Sequence, residues 1–199
     1  MSGPGEDATP SPADADDVVS FPEDEDVRQM LRLKEGDESA LTEIIERWKN
    51  PLLNFFYRSV QDYEASEDLA QLVFIRLYRA AHSYEPRAKF STYLFHIARR
   101  LLINEFRRQQ RKPLVAMDPQ DLHAVDEADS ERTMQEIEEA FQYALKDVPE
   151  KQRTALLLFK QQELSYQEIA DLMGATESAV KTWIFRARHS LKQALKDLV

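Results

Sequence analysis

Apolar residues recur along this 199-residue chain with the period of an α-helix, and no segment shows the alternation of a β-strand. The apolar windows are separated by residues that begin or end helices. These boundary residues are Gly36, Asp37, Asn50, Pro51, Asp62, Pro149, Ser165, Gly174 and Thr176. Pro51 suits the first residue of a helix, so we expect one helix to end at Asn50 and the next to begin at Pro51. The pattern indicates an all-α fold.

The segment from Ser165 to Arg188 has the pattern of a helix-turn-helix. Ser165 and Glu168 are spaced as a capping box at the start of its first helix. Gly174 supplies a left-handed turn, and Thr176 can cap the second helix. Four residues of the second helix recur at helical spacing and should pack inward. They are Val180, Trp183, Ile184 and Ala187.

The outward face of this second helix carries hydroxyls, long cations and one aromatic ring. Its members are Ser178, Lys181, Thr182, Phe185, Arg186 and Arg188. Such groups contact base edges and phosphates in a DNA major groove. The segment therefore predicts binding to duplex DNA, with an ordinary helical hairpin as the alternative.

The formal net charge of −10 is unusual for a DNA-binding protein, but the charges are separated along the chain. Residues 1–26 contain nine acids and no lysine or arginine, and their composition predicts disorder. Residues 87–112 contain eight lysines and arginines and one acid. Residues 113–130 combine prolines with acids, which predicts a flexible linker. Two small helical domains, residues 27–112 and 131–199, are expected on either side of this linker.

The chain lacks the residue patterns on which most catalytic and metal sites depend. It contains no cysteine, and its four histidines have no metal-ligand spacing. Its four glycines form none of the common phosphate-binding motifs. We therefore expect neither an enzyme nor a bound metal or cofactor. Because no apolar run approaches a membrane span and no secretion signal is visible, we expect a cytoplasmic protein.

The segment from Lys89 to Lys112 combines cations with aromatic rings. Cations can follow the phosphates of single-stranded nucleic acid while rings stack on unpaired bases. The candidate residues are Lys89, Phe90, Tyr93, His96, Arg99, Arg100, Arg107 and Arg108. The alternative is a solvated cationic face with its aromatic rings in the core, which is favoured for Phe95 and Phe106 individually.

The helix predicted between Glu64 and Ala81 has two distinct strips. Its packing strip is expected to contain Leu69, Leu72 and Leu77. Asp68, Gln71 and Ile75 lie on the other side at helical spacing. An outer strip of this kind is either an ordinary helix surface or a docking face for partner helices.

Taken together, these features resemble the extracytoplasmic-function (ECF) group of the sigma-70 family, the promoter-recognition subunits of bacterial RNA polymerase. The first is the sequence Asp68-Leu69-Ala70-Gln71 followed by Phe74, and the second is the basic FSTYLFHIARRLLINEFRR helix. The third is the helix-turn-helix EIADLMG…AVKTWIFRAR beyond the acidic linker. The resemblance extends over residues 27–195.

The resemblance implies that the N-terminal domain is sigma domain two. The helix that bears Asp68, Gln71, Phe74 and Ile75 would then dock on the clamp helices of the largest polymerase subunit. The loop from Ser83 to Lys89 and the basic helix after it would capture a flipped base of the melted −10 element.

The C-terminal domain would correspond to sigma domain four. Its second helix would enter the major groove of the −35 element, with Lys181, Thr182, Phe185 and Arg186 facing the DNA. This domain would also contact the flap of the second-largest polymerase subunit. The acidic linker would thread toward the active-site channel, and an anti-sigma factor would be a further partner.

Two other readings of the residues remain open at this point. A transcription regulator could use the same helix-turn-helix to bind duplex DNA by itself. A structural adaptor could use the acidic tail and linker as interaction segments. A stand-alone regulator should hold its operator with a dissociation constant of about 10⁻⁸ M or tighter, whereas an acidic sigma factor should bind duplex weakly without polymerase.

Overall fold

The computed structural model describes residues 24–111 and 129–196, with side chains from residue 136 onward in the second range. Within these ranges the chain forms helices and no strand. The helices are α1 (Glu25–Lys34), α2 (Ser39–Val60), α3 (Tyr63–Ala80), α4 (Phe90–Arg111), α5 (Asp129–Asp147), α6 (Glu150–Gln161), α7 (Tyr166–Met173) and α8 (Glu177–Ala194). The predicted all-α fold with two small helical domains is confirmed. The predictions for residues 1–23 and 113–128 lie outside the described residues.

The N-terminal domain consists of α1 to α4 around a core that is rich in aromatic rings. Helix α2 packs against α1, α3 and α4. The Phe55 and Phe95 rings meet edge to face, with their centroids 5.2 Å apart, and Trp48 lies 6.1 Å from Phe95. Such pairs add about 0.5–1.5 kcal/mol to the free energy gained by burial. This core determines which side of α4 is left for solvent.

The prediction of a helix boundary at Pro51 is wrong, because α2 continues through it as one helix. A proline inside a helix costs about 3 kcal/mol or more, since it removes one hydrogen bond and crowds the preceding turn. Ile44, Leu52 and Phe55 lie on both sides of Pro51 and are fully buried. Burying each such side chain contributes about 1.5–3 kcal/mol, which offsets the cost of the proline.

The predicted boundary of the disordered tail at residue 26 also needs correction. Asp24 is the N-cap of α1, where its carboxylate accepts a hydrogen bond from the Asp26 backbone N–H at 3.0 Å. The other Asp24 oxygen accepts from the Phe90 N–H at the start of α4, at 3.1 Å. The Asp26 carboxylate is buried and forms an ion pair with the Arg47 guanidinium at 2.9 Å. The last three residues of the acidic segment therefore belong to the folded domain.

The C-terminal domain consists of α5 to α8, and its helix boundaries confirm the predicted capping residues. Ser165 and Glu168 exchange both hydrogen bonds of a capping box. Gly174 ends α7 with φ +62°, the left-handed region that favours glycine. Thr176 caps α8 by accepting a hydrogen bond from the Ala179 N–H at 3.2 Å. Helix α5 begins at Asp129, one residue before the predicted end of the linker at residue 130.

The inward face of α8 packs as predicted against the rest of its domain. Val180, Ile184 and Ala187 are buried, and Trp183 is half-buried against the same core. The Lys151 ammonium lies 6.0 Å from the Trp183 ring centroid, which covers the outer side of the indole. The prediction that Trp183 packs inward is therefore confirmed.

The two domains contact each other directly. Helix α2 packs against α5 and α6, and α4 packs against α7. Arg58 of the N-terminal domain forms an ion pair with Glu138 at 2.9 Å, and its guanidinium lies 5.4 Å from the Phe141 ring centroid. The sequence predicted two domains joined by a linker but gave no information on how they contact each other.

Candidate nucleic-acid interface

The outward face of α8 is solvent-exposed at all of the predicted duplex-contacting positions. The exposed residues are Ser178, Lys181, Thr182, Phe185, Arg186 and Arg188. Four further side chains, three of them on α8, line the same shallow groove: Tyr166, Ile184, His189 and Lys192. The groove includes Lys181, Thr182, Phe185 and Arg188, whereas Ser178 and Arg186 lie outside it.

Lys181 is held in place by two neighbours, one at the start of each helix of the helix-turn-helix. Its ammonium lies 2.5 Å from the Glu177 carboxylate, one helical turn earlier, and 5.3 Å from the Tyr166 ring centroid. Tyr166 in turn stacks on Phe159 with the centroids 4.9 Å apart. Hydrogen bonding to Glu177, together with its negative charge, raises the pKa of Lys181. This cation is therefore oriented before any ligand arrives.

An exposed aromatic ring stands at the middle of the same face. Phe185 is 71% exposed, and its ring lies nearly parallel to that of His189 with the centroids 6.4 Å apart. Thr182 donates its hydroxyl to the Ser178 carbonyl at 2.9 Å, so only its oxygen lone pairs remain for a ligand. The groove thus combines a cation, an acceptor and an apolar ring, which are the groups that discriminate base edges.

Helix α4 presents a second cationic face on the N-terminal domain. Five of the predicted residues are spaced four, three, four and seven positions apart along it: Lys89, Tyr93, His96, Arg100 and Arg107. Residues at this spacing share one side of a helix. Lys89, Arg100 and Arg107 are exposed, while Tyr93 and His96 are half-buried between them. Cations here flank two rings, the arrangement that suits an unpaired strand.

The two rings of this face are neutral near pH 7. Burial lowers the pKa of His96, and the positive charges of Arg100 and Arg99 lower it further. Burial raises the pKa of Tyr93, whose ring lies 5.1 Å from that of Tyr84. Neutral rings can stack or donate hydrogen bonds without adding charge, so the arginines and Lys89 supply the positive potential.

Three predicted residues of the basic helix do not lie free on this face. Phe90 is 0% exposed and packs against Trp48 at 6.0 Å, so the prediction that it contacts nucleic acid is wrong. A ring at the first residue of α4 points into the core because that turn closes over α2. Arg108 is paired with the buried Glu105 carboxylate at 2.7 Å. Arg99 donates to the Met173 carbonyl of the other domain at 3.3 Å.

The outer strip of α3 is more apolar than its sequence predicted. Asp68, Gln71 and Ile75 are exposed as expected. Leu72 is 42% exposed, so its assignment to the packing strip is wrong, and Ile75 beside it is 44% exposed. Phe74 is 8% exposed and belongs to the core, which corrects its assignment as a docking residue. Its position along the helix places it with the inward residues.

Metal and membrane features are absent from the described parts of the chain. In residues 24–111 and 136–196, whose side chains the structure describes, no group of three or more acidic or histidine side chains could hold a metal ion. No helix in these ranges combines the length and apolar character needed to cross a membrane.

Comparison with known proteins identifies the family. The sigma-70 region 2 family matches residues 44–112, and the sigma-70 region 4 family matches residues 138–191. The RNA polymerase sigma-H factor of Pseudomonas aeruginosa is 31% identical over 187 residues, which is 89% of this chain and 97% of that protein. The ECF RNA polymerase sigma factor SigW of Bacillus subtilis is 30% identical, over 86% and 97% respectively. The chain belongs to the ECF group of the sigma-70 family.

This sigma factor also shares its fold with solved structures. CnrH, solved in complex with the cytosolic domain of CnrY, aligns with a TM-score of 0.64 and 17% identity. The alignment covers 86% of this chain and 97% of that chain. The sigma factor RpoE of Bartonella quintana, solved with the anti-sigma factor NepR, aligns with a TM-score of 0.60 and 22% identity. That alignment covers 78% of this chain and 96% of the RpoE chain. At these identities the likeness establishes the fold alone.

The family assignment gives the two domains of this sigma factor their names. The N-terminal domain is region two and the C-terminal domain is region four. Sequence reasoning missed four residues around the region-four groove: Tyr166, Glu177, His189 and Lys192. The pairs Glu177–Lys181 and Phe185–His189 are four residues apart, a spacing that could have revealed them. Tyr166 comes from another helix, so only the fold places it there.

Proposed function

We propose that this sigma factor binds core RNA polymerase and directs promoter-specific transcription initiation. Region four reads the −35 element as duplex through the groove of α8. Region two captures the melted −10 strand with the cationic face of α4. The observation that carries the proposal is that two separate reading faces occur on one chain. The groove of α8 has the groups that contact base edges in a major groove. The face of α4 has half-buried rings between cations, which suit an unpaired strand.

The duplex-reading assignment is supported by the chemistry of the α8 groove. Lysine and arginine favour the guanine acceptors O6 and N7, and an exposed aromatic ring can contact the thymine methyl group. Lys181 and Phe185 present these groups on the same side of α8, one turn apart. Arg188 and Lys192 extend the positive potential along the helix, where phosphates would lie.

The polymerase-binding assignment is supported by the outer strip of α3. Leu72 and Ile75 form an exposed aliphatic pair beside Asp68 and Gln71. An apolar centre with a polar rim is typical of protein interfaces. We assign this strip to the clamp helices of the largest subunit and region four to the flap of the second-largest. An anti-sigma factor is a further partner, as for the solved relative bound to NepR.

Run-off transcription tests the proposal. Core polymerase and the purified chain are incubated with a library of templates that carry different pairs of −35 and −10 elements. We expect a transcript from templates with one matching pair and co-purification of the chain with core enzyme. If no template gives a promoter-specific transcript and the chain does not bind core enzyme, the proposal fails. Tight binding of the free chain to duplex would instead favour a stand-alone regulator.

We expect Lys181→Ala to weaken binding of the holoenzyme to the −35 duplex by about 1–3 kcal/mol, because an oriented donor to base edges is lost. Fluorescence anisotropy on a set of −35 sequence variants measures the loss. Lys146→Ala is the matched control, since Lys146 is an exposed lysine of region four that lies on α5, outside the groove, and this change should leave the binding unchanged. A loss for Lys181→Ala that is equal on every sequence would show that the contact is to phosphate.

We expect deletion of residues 1–23 to raise the affinity of the free chain for single-stranded −10 DNA by about two- to tenfold at low salt. The deletion removes six acids, and the segment enters the fold at Asp24, beside the first residue of α4. Asp24 and Asp26 are retained because they are structural. A full-length control with Asp14, Asp16 and Asp17 changed to Asn should give part of the same gain. Equal affinity of all three proteins at low salt would contradict masking by the tail.

A further inference from the structure

The loop that leads into the basic helix, here called the entry loop (residues 84–89), is held at both ends by α1. At the start of the loop, the Lys34 ammonium donates a hydrogen bond to the Tyr84 carbonyl at 2.8 Å. Just past its end, the Phe90 N–H donates to the Asp24 carboxylate at 3.1 Å. Asp24 is the N-cap of α1 and Lys34 is its last residue. The entry loop therefore runs along α1 in the opposite direction to the helix.

Both anchoring side chains do more than stabilise the ends of their own helix. One Asp24 oxygen caps α1 by accepting from the Asp26 N–H at 3.0 Å, while the other oxygen accepts from Phe90. A lysine in the last turn of a helix commonly binds the free carbonyls of that turn. Lys34 instead binds the carbonyl of Tyr84, fifty residues along the chain. Because each bond contains one charged group, both are stronger than bonds between neutral groups.

Helix α1 is itself fixed to the rest of region two. Asp26 forms an ion pair with Arg47 of α2 at 2.9 Å. The helix also packs against the short 3₁₀ turn at residues 81–83 that precedes the entry loop. Three of its apolar side chains are buried in the core: Val27, Met30 and Leu33. The two anchors therefore cannot move independently of the domain.

The entry loop is also ordered between its two anchors. The Arg87 N–H donates to the Glu85 carbonyl at 2.9 Å, across Pro86, and the two side chains form an ion pair at 2.6 Å. The Tyr84 ring is buried, and its centroid lies 5.1 Å from that of Tyr93 on α4. The loop thus has a defined shape, and its first ring supports a ring of the cationic face.

The position of the entry loop determines where the cationic face of α4 begins. Lys89 is the last residue of the loop, and Tyr93 lies one turn further along. A binding surface that is ordered in the free protein loses less conformational entropy when a ligand binds. Groups that distinguish one base from another must also be held close to a fixed geometry. The anchors supply both conditions at this end of the face.

We propose that Asp24 and Lys34 are positioning residues for the −10 element, which hold the entry loop and the start of α4 in the arrangement that selects unpaired bases. The proposal rests on the proposed function for the assignment of this face to the −10 element. The sequence placed no residue of α1 among the contacts with polymerase or DNA. Neither anchor is required to contact DNA, because each acts through the backbone that it binds.

Two conservative variants remove the anchors while α1 keeps its helical signals. Asp24→Asn retains an N-cap, since asparagine caps helices as well as aspartate does. An amide has one acceptor oxygen where the carboxylate has two, so the bond to Phe90 is lost. Lys34→Met keeps a long side chain with high helix propensity and removes the donor to Tyr84.

Two matched variants control for the loss of charge. Asp62→Asn makes the same change at the N-cap of α3, where the carboxylate accepts from the Ala65 N–H at 3.0 Å. Lys49→Met makes the same change at an exposed lysine of α2. Neither residue binds the entry loop.

Amide hydrogen exchange of the full chain tests the hold on the loop without using DNA. We expect Asp24→Asn and Lys34→Met to speed exchange in the segment 84–90 by about two- to tenfold, because one stabilising bond is lost in each. Asp62→Asn and Lys49→Met should exchange this segment as the wild-type chain does. Equal exchange in all four variants would overturn the proposal.

A measurement of base discrimination tests the positioning role. Holoenzyme is titrated with single-stranded −10 oligonucleotides taken from a template that gives a transcript, and with versions in which one base is changed. The ratio of the two affinities should fall by about two- to tenfold in Asp24→Asn and Lys34→Met. It should stay unchanged in Asp62→Asn and Lys49→Met. All four variants should bind core enzyme and the −35 duplex normally.

Two results of this measurement would contradict the positioning role. Faster exchange with unchanged discrimination would mean that α1 only stabilises the loop. A loss of discrimination accompanied by an equal loss of affinity for core enzyme would mean that the variants weaken the whole domain. If exchange is faster but no chain, wild type included, directs a promoter-specific run-off transcript, the proposed function fails and the hold of α1 on the entry loop stands.

Discussion

Phe90→Ala is expected to lower the free energy of unfolding by about 3–5 kcal/mol, because it leaves a cavity in the core of region two. Phe90 is completely buried against Trp48, and its backbone N–H binds the carboxylate that caps α1. The cavity would open where α1, α2 and α4 meet. Urea unfolding followed by circular dichroism and by tryptophan fluorescence measures the loss.

Tyr93→Ala is the control for this substitution, one turn along the same helix. Tyr93 is half-buried, so its loss should destabilise the fold less. It should instead weaken binding to single-stranded −10 DNA by about 1–3 kcal/mol, the contribution of one stacked base. Under conditions where Phe90→Ala remains folded, it should bind this DNA as the wild-type chain does. If Phe90→Ala lost DNA binding while its free energy of unfolding stayed unchanged, Phe90 would belong to the nucleic-acid interface and not to the core.

Ile75→Glu should weaken binding to core RNA polymerase by about 2–4 kcal/mol, as expected for a central apolar residue of an interface. Ile75 and Leu72 are each about two-fifths exposed and adjacent on α3. A carboxylate in their place would be buried without a partner in the complex. The free chain should keep its stability, since the position faces solvent and glutamate is a good helix former. Titration of labelled chain with core enzyme measures the affinity.

Tyr63→Glu provides the matched change on the same helix. Tyr63 is 57% exposed and lies on another side of α3, where its ring is 6.4 Å from that of Tyr57. A glutamate in the first turn also suits the helix dipole. This variant should bind core enzyme normally. If both glutamate variants lose the same affinity, the effect is general repulsion and α3 has no specific docking strip at Ile75.

Local features were predictable because their causes are local. A capping box depends on Ser165 and Glu168, three residues apart, and the left-handed turn depends on Gly174 alone. The separation of acidic tail and basic helix could likewise be read directly, as could the division into two helical domains. The outward face of α8 followed from its period, because its opposite side is consistently apolar.

Aromatic and aliphatic residues near the border between the inward and outward faces of a helix could not be assigned to one face in the same way. Phe90 and Tyr93 both stand beside cations on α4, and only the packing of Phe90 on Trp48 distinguishes them. On α3, Leu72 and Phe74 were both assigned to the wrong side. A helix with apolar residues on more than half of its circumference has no unique inward face until its neighbours are placed.

The order of the helices, their caps, the charge distribution and the motifs of an ECF sigma factor all reside in short stretches of this chain. They depend on residues a few positions apart, so they can be read before any folding is considered. The continuity of α2 through Pro51 and the docking of α7 on α4 are tertiary in origin. The contacts from Thr92 to Glu168 and from Arg99 to Met173 join residues 76 and 74 positions apart. No local pattern specifies such pairs, because they form only once helices that are distant in the sequence share a packed surface.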